Sequence, residues 1–172
     1  MKRITSLLLA SLATLALAGT ASATIILSPL AVDFRTAAWS GAHSQSSWTV
    51  GDVTASALQD DLYQDSTDGL GILGGENDEV DLEELLCVDF GNGGKWLTGV
   101  WITDLFEAND GGIGEYGKIQ LNGGAEFQFN GNLAHQGNGE LYVDFGGAIQ
   151  VTSAKFWADN TLVFGFMPIG LL

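Results

Sequence analysis

Six oxygen-bearing side chains crowd one short stretch of the chain: Asp68, Glu76, Asn77, Asp78, Glu79 and Asp81. Carboxylates and amides at this density are the donors that a hard divalent cation takes, and calcium accepts about six to eight such oxygens at roughly 2.3–2.6 Å. Glycines between them, at 69, 71, 74 and 75, leave backbone carbonyls open to the same use. The composition therefore points to a calcium ion (Ca2+) held by these six residues. Two common calcium loops do not fit. An EF-hand frame with Gly69 at its sixth position starts at Gln64 and puts Gly75 where a glutamate is required. A glycine-rich nonapeptide frame at Gly74-Gly75 meets Asn77 where it needs glycine and Glu79 where it needs aspartate. The competing reading is a solvated acidic loop.

Aromatic rings offer a second chemistry. A flat ring stacks on a sugar, and the chain has five tryptophans. Trp39, flanked by Ala38 and Ser40 in a small polar stretch, is the best candidate for an exposed ring, with Tyr116 and Tyr142 behind it. Trp96 and Trp101 stand in the most apolar run and are expected in the core. Reaction chemistry has less support. His43 and His135 lack the spacing of a zinc site, and the sequence has no G-x-S-x-G turn. With 21 acidic residues, a carboxylate pair at glycosidase spacing is uninformative. Cys87, the single cysteine, reads as a small buried apolar residue and cannot form an internal disulfide. The expectation is a protein that is not an enzyme.

The elements that must position these residues are strands. From Val80 the even positions read Val80, Leu82, Glu84, Leu86, Val88 and Phe90, a mostly apolar row on one face of an extended strand. The stretch before it, Asp65 to Gly75, is too rich in glycine and turn formers for regular structure. Leu30, Val32 and Phe34 alternate as an early strand, followed by a turn-like stretch to Ser47 and extended patterns at 48–50 and 53–57. Only Leu58 to Tyr63 has room for a turn or two of helix. Lys95 to Phe106 is apolar at both parities, which implies a strand covered on both faces or bulged near Gly99. Asn122-Gly123-Gly124 is the strongest hairpin signal, between strands at 118–121 and 126–129. Further strands are read at 141–145, 149–157 and 162–167. Eight to ten strands at turn spacings of about a dozen residues describe an all-β fold, a single antiparallel β-sandwich or jelly roll.

The ends say where the protein goes. Lys2 and Arg3, an apolar run from Ile4 through Leu17 and the small-residue site Ala21-Ser22-Ala23 form a signal peptide over residues 1–23, leaving a β-sandwich domain at 24–172. Cleavage removes two basic residues and takes the net charge from −15 to −17. Such a charge disfavours nucleic acid and anionic membranes as partners, and the mature chain is expected to have no membrane span. A secreted, extracellular or cell-surface location follows, with extracellular polysaccharide or surface proteins as candidate partners. Self-assembly through the terminal apolar strands, Ile25 to Leu30 and Leu162 to Met167, is a further possibility.

Asp68-Gly-Leu-Gly-Ile72, then Glu76-Asn-Asp-Glu-Val-Asp81, Glu84-Leu-Leu86, Leu97-Thr-Gly-Val100 and Met167-Pro-Ile169 form a layout that resembles a recurrent β-sandwich domain. It is the domain of exported bacterial proteins of the exosortase-associated kind, which carry a Pro-Glu-Pro or Val-Pro-Leu-Pro-Ala sorting tail. The resemblance spans most of Ile25 to Pro168. It implies a surface or extracellular-matrix component rather than an enzyme. The sequence ends at Leu172 without the anchoring helix and basic tail of that family, so covalent sorting to the surface is not implied.

Overall fold

Short runs of alternating apolar and polar residues between glycine turns become strands here. The computed structural model describes residues 32–74, 77–80, 82–105, 115–131, 139–159 and 170–171. The expected signal peptide and the terminal segments Ile25 to Leu30 and Leu162 to Met167 lie outside these residues. Among the described residues a 3₁₀ helix, Ala37–Ala42, precedes twelve strands. These are β1 (Ser47–Val50), β2 (Val53–Ala57), β3 (Asp61–Gln64), β4 (Leu70–Leu73), β5 (Asn77–Glu79) and β6 (Leu86–Asp89). They continue with β7 (Lys95–Thr103), β8 (Tyr116–Leu121), β9 (Glu126–Asn130), β10 (Leu141–Val151), β11 (Ser153–Ala158) and β12 (Gly170–Leu171).

The strands form two antiparallel sheets. One has the order β1-β2-β6-β11-β8-β9, the other β10-β7-β12-β4-β3 with β5 paired to β4. Both contribute to one buried apolar cluster. Val53, Ala55, Leu86, Val88, Ile119 and Phe156 come from the first sheet, and Leu62, Leu70, Ile72, Ile102 and Val151 from the second. The fold class is all-β, as the alternation implies.

Local chemistry sets the turns. Asn122 and Gly123 both have positive φ, 53° and 66°, at the centre of the turn that Gly124 N closes onto Leu121 O, and the register with Gln120 opposite Glu126 leaves residues 122–124 as the loop between β8 and β9. Asn122 also ties that turn to the β10–β11 corner. Its Oδ1 accepts from Thr152 N at 2.8 Å and Ser153 N at 3.3 Å, and its Nδ2 donates to Gln150 O at 2.9 Å.

Several expectations change. The glycine-rich stretch before Val80 is not all irregular, because Leu70 to Leu73 forms β4, with Leu70 and Ile72 fully buried. Tertiary burial of these two side chains outweighs the local cost of glycine. The apolar row from Val80 to Phe90 is buried as its parity implies, Leu82 being half-buried, but it is not one strand. Glu83, at φ 71°, breaks it, and the chain passes there from β5 in one sheet to β6 in the other. Residues 32–36 are bend and turn rather than strand, and 61–64 are β3 rather than helix. Residues 141–151 form one continuous strand through Gly146-Gly147, not two.

That strand, β10, carries a bulge. Asp144 faces Gly99 on β7, and without a shift Ile149 would face Gly94; it faces Leu97, three residues further on. Gly146 and Gly147 supply the positive φ values, 78° and 150°, inside the bulge. A shift by an odd number reverses which parity of β7 points inward.

Candidate functional site

Of the six expected calcium ligands, the structure describes the side chains of two. Asp68 closes the β3–β4 turn. Its backbone N donates to Asp65 Oδ1 at 2.8 Å, and its carbonyl accepts from the Thr103 hydroxyl at 2.9 Å. Glu79 lies in β5 opposite Ile72, 8% exposed. Asp68 stands in the turn before β4 while Glu79 pairs within it, and the charges that act on the Asp68 carboxyl are those of Asp65, Glu140 and Arg35, so the structure does not bring the two together. Glu76 and Asp81, and the side chains of Asn77 and Asp78, lie outside the described residues. Among the described residues no group of three or more His, Cys, Asp or Glu is arranged to hold a metal ion. Asp68 has carboxylate neighbours of another origin. Burial first, then the charges of Asp65 and Glu140, push its carboxyl above the ordinary range, against a smaller opposing effect of Arg35. Glu84, inward in the apolar row, is 7% exposed and occupies the space a Cβ on Gly74 would need.

The three expected sugar-facing rings are scattered. Trp39 is 2% exposed, a correction to its reading as a surface ring. The 3₁₀ helix brings Trp39 and Ala42, three residues apart, onto one inward face, and Trp39 packs edge-on against Phe34 at 4.7 Å. Tyr116 is half-buried on β8 in one sheet, while Tyr142 is on β10 in the other. Cys87 is half-buried, and burial pushes its thiol pKa up, so the thiolate nucleophile is disfavoured at neutral pH.

A different set of rings shares one face of a sheet. Leu97, Val100 and Ile102 of β7 pack into the core, as do Leu141, Val143, Ile149 and Val151 of β10. The register shift explains the mixed parity on β7, and it turns Trp96, Thr98, Gly99 and Trp101 to the outer face. Trp96 is 67% exposed, contrary to its expected place in the core. Trp101 meets Tyr142 at 5.2 Å between ring centres, tilted by 49°. The Tyr142 hydroxyl and Thr98 Oγ1 are hydrogen-bonded at 2.8 Å. Tyr142 reaches Thr98 by lying across Gly99, where an added Cβ would come within 2.6 Å of the phenol oxygen and closer still to the Val143 carbonyl.

No family model, curated protein or solved structure matches the chain.

The outer β7–β10 face is therefore defined by its own geometry. Alternation alone puts Trp96 and Trp101, of opposite parity, on opposite sides of a strand. The signal available in the sequence was the mixed parity around Gly99 together with Gly146-Gly147 across from it.

Proposed function

We propose that this protein is an exported, non-catalytic β domain with a structural or interaction role at the cell surface or in extracellular matrix, stabilised by calcium. The observation that carries the reading is the outward aromatic face of β7 and β10 on a chain of net charge −15. Large apolar rings held in water on a rigid sheet are a common mark of a recognition surface, and Trp and Tyr dominate such surfaces. The leader pattern of residues 1–23 and the resemblance to exosortase-associated surface proteins support the location. The reading of a non-catalytic carbohydrate-binding module has lost Trp39 as a contact but gains Trp96 and Trp101.

The test is fractionation of a bacterial host producing the complete chain, followed by mass determination of the product. The expected result is a product that begins at Thr24 and lies outside the cytoplasm. A full-length chain in the cytoplasm would overturn the reading.

A further inference from the structure

We infer that the outer face of β7 and β10 binds an uncharged polysaccharide, stacked on Trp96 and Trp101 and hydrogen-bonded beside Tyr142. The inference deepens the proposed interaction role and rests on it. Cross-strand stabilisation explains part of the face, since an aromatic pair such as Trp101 and Tyr142 packs two antiparallel strands together. It does not explain Trp96. Among the described residues Trp96 makes no ring–ring contact, and it stands 67% exposed.

The chemistry of the face selects the ligand. The two tryptophans are five residues apart on β7, about 17 Å along the strand, which suits an extended chain of several sugars rather than one small molecule. A sugar ring offers C–H bonds to the electron-rich ring face and hydroxyls around its rim. Thr98, Tyr142, Asp144 and Gln150 lie between and beside the rings; Thr98 and Tyr142 bond each other, Asp144 Oδ1 accepts from Gly146 N and Gln150 Nε2 donates to Gly93 O, and the remaining capacity of these groups serves those hydroxyls. A stable protein interface needs a compact apolar centre within roughly 1,200–2,000 Å² of buried surface, whereas here polar groups and glycine separate the rings. Nucleic acid also stacks on aromatic rings, but its phosphates would meet a chain with 21 acidic and 6 basic residues. The same repulsion disfavours acidic polysaccharides and leaves neutral ones.

The experiment uses purified full-length protein in affinity electrophoresis against soluble xylan and galactomannan, and depletion by insoluble cellulose and chitin. Polygalacturonate serves as the anionic comparison. At least one neutral polysaccharide should retain the protein and change its tryptophan fluorescence. Trp96→Ala should lower that affinity about tenfold or more with an unchanged melting temperature, because its ring is mostly in water. Tyr142→Phe should lower it less, by loss of the hydroxyl alone. Retention by no neutral polysaccharide, by polygalacturonate alone, or equally by wild type and Trp96→Ala would overturn the inference. So would a wild-type dimer that Trp96→Ala converts to monomer without any glycan effect, since the face would then be a self-interface. Binding is measured on purified protein, so its failure is separate from a failure of export.

Discussion

Asp68 shows how a residue chosen for its ligand chemistry is constrained by its neighbours. Burial and the carboxylates of Asp65 and Glu140 raise its folded pKa above the unfolded value of about 3.9. The ionised form is thus penalised more in the folded state than in the unfolded one. Stability falls as pH rises through the window from the unfolded pKa to the folded one, and the penalty is complete above it. Asp68→Asn should therefore be more stable than wild type at pH 7, with the difference vanishing as pH falls below about 3.9. Urea unfolding at a series of pH values measures this, and a destabilised variant at pH 7 would refute it. Asp33 behaves oppositely, its carboxyl held low by its hydrogen bond to Arg35.

Two elements hold the sheets in register by local means. The β8–β9 turn is attached to the β10–β11 corner by the Asn122 side chain. Asn122→Gly keeps the left-handed backbone and removes only the side-chain hydrogen bonds, for an expected loss of about 1–3 kcal/mol. Asn122→Ala should lose about 1–2 kcal/mol more, because φ at this site is 53°. Equal stability of the two variants in urea would show that the backbone conformation contributes nothing. In the second sheet, β12 lies between β4 and β7, with Leu171 opposite Leu70 and Ile102, and those two partners are fully buried. Deleting residues 170–172 leaves those strands with open edges. The truncated protein should melt at lower temperature and regain stability when a peptide of residues 162–172 is added. A truncation with no effect on melting would remove β12 as a structural element.

At the scale of the whole molecule, charge governs the response to ions. The chain carries 21 acidic against 6 basic residues, so added salt should raise stability by screening repulsion. The proposed calcium binding predicts more than screening. For a site with a dissociation constant near 0.1–1 mM, as extracellular modules have, 10 mM calcium adds about 1.4–2.7 kcal/mol through mass action. Melting in calcium, in magnesium and in sodium chloride of matched ionic strength separates the two accounts. Calcium should give the largest shift, and equal shifts in all three would leave only an acidic surface.

The sequence by itself determined the fold class, the β8–β9 hairpin and the inward parity of Val80, Leu86, Val88 and Phe90. Each of these rests on local rules, namely alternation along a strand and the left-handed backbone that Asn122-Gly123 tolerates. Tertiary structure decided the rest. Whether Trp39 lies in the core depends on a 3₁₀ helix docked against Phe34, and a small polar stretch carries no periodic signal for that. Whether Asp68 and Glu79 meet depends on β4 and β5 pairing as strands instead of curling into one loop. Whether Trp96 and Trp101 share a face depends on a register shift set by residues of another strand, some fifty positions away in the chain. Parity is a property of one strand, but the face it presents is fixed by its partner, and one odd shift was enough to turn an expected core tryptophan into the most exposed ring of the β7–β10 face.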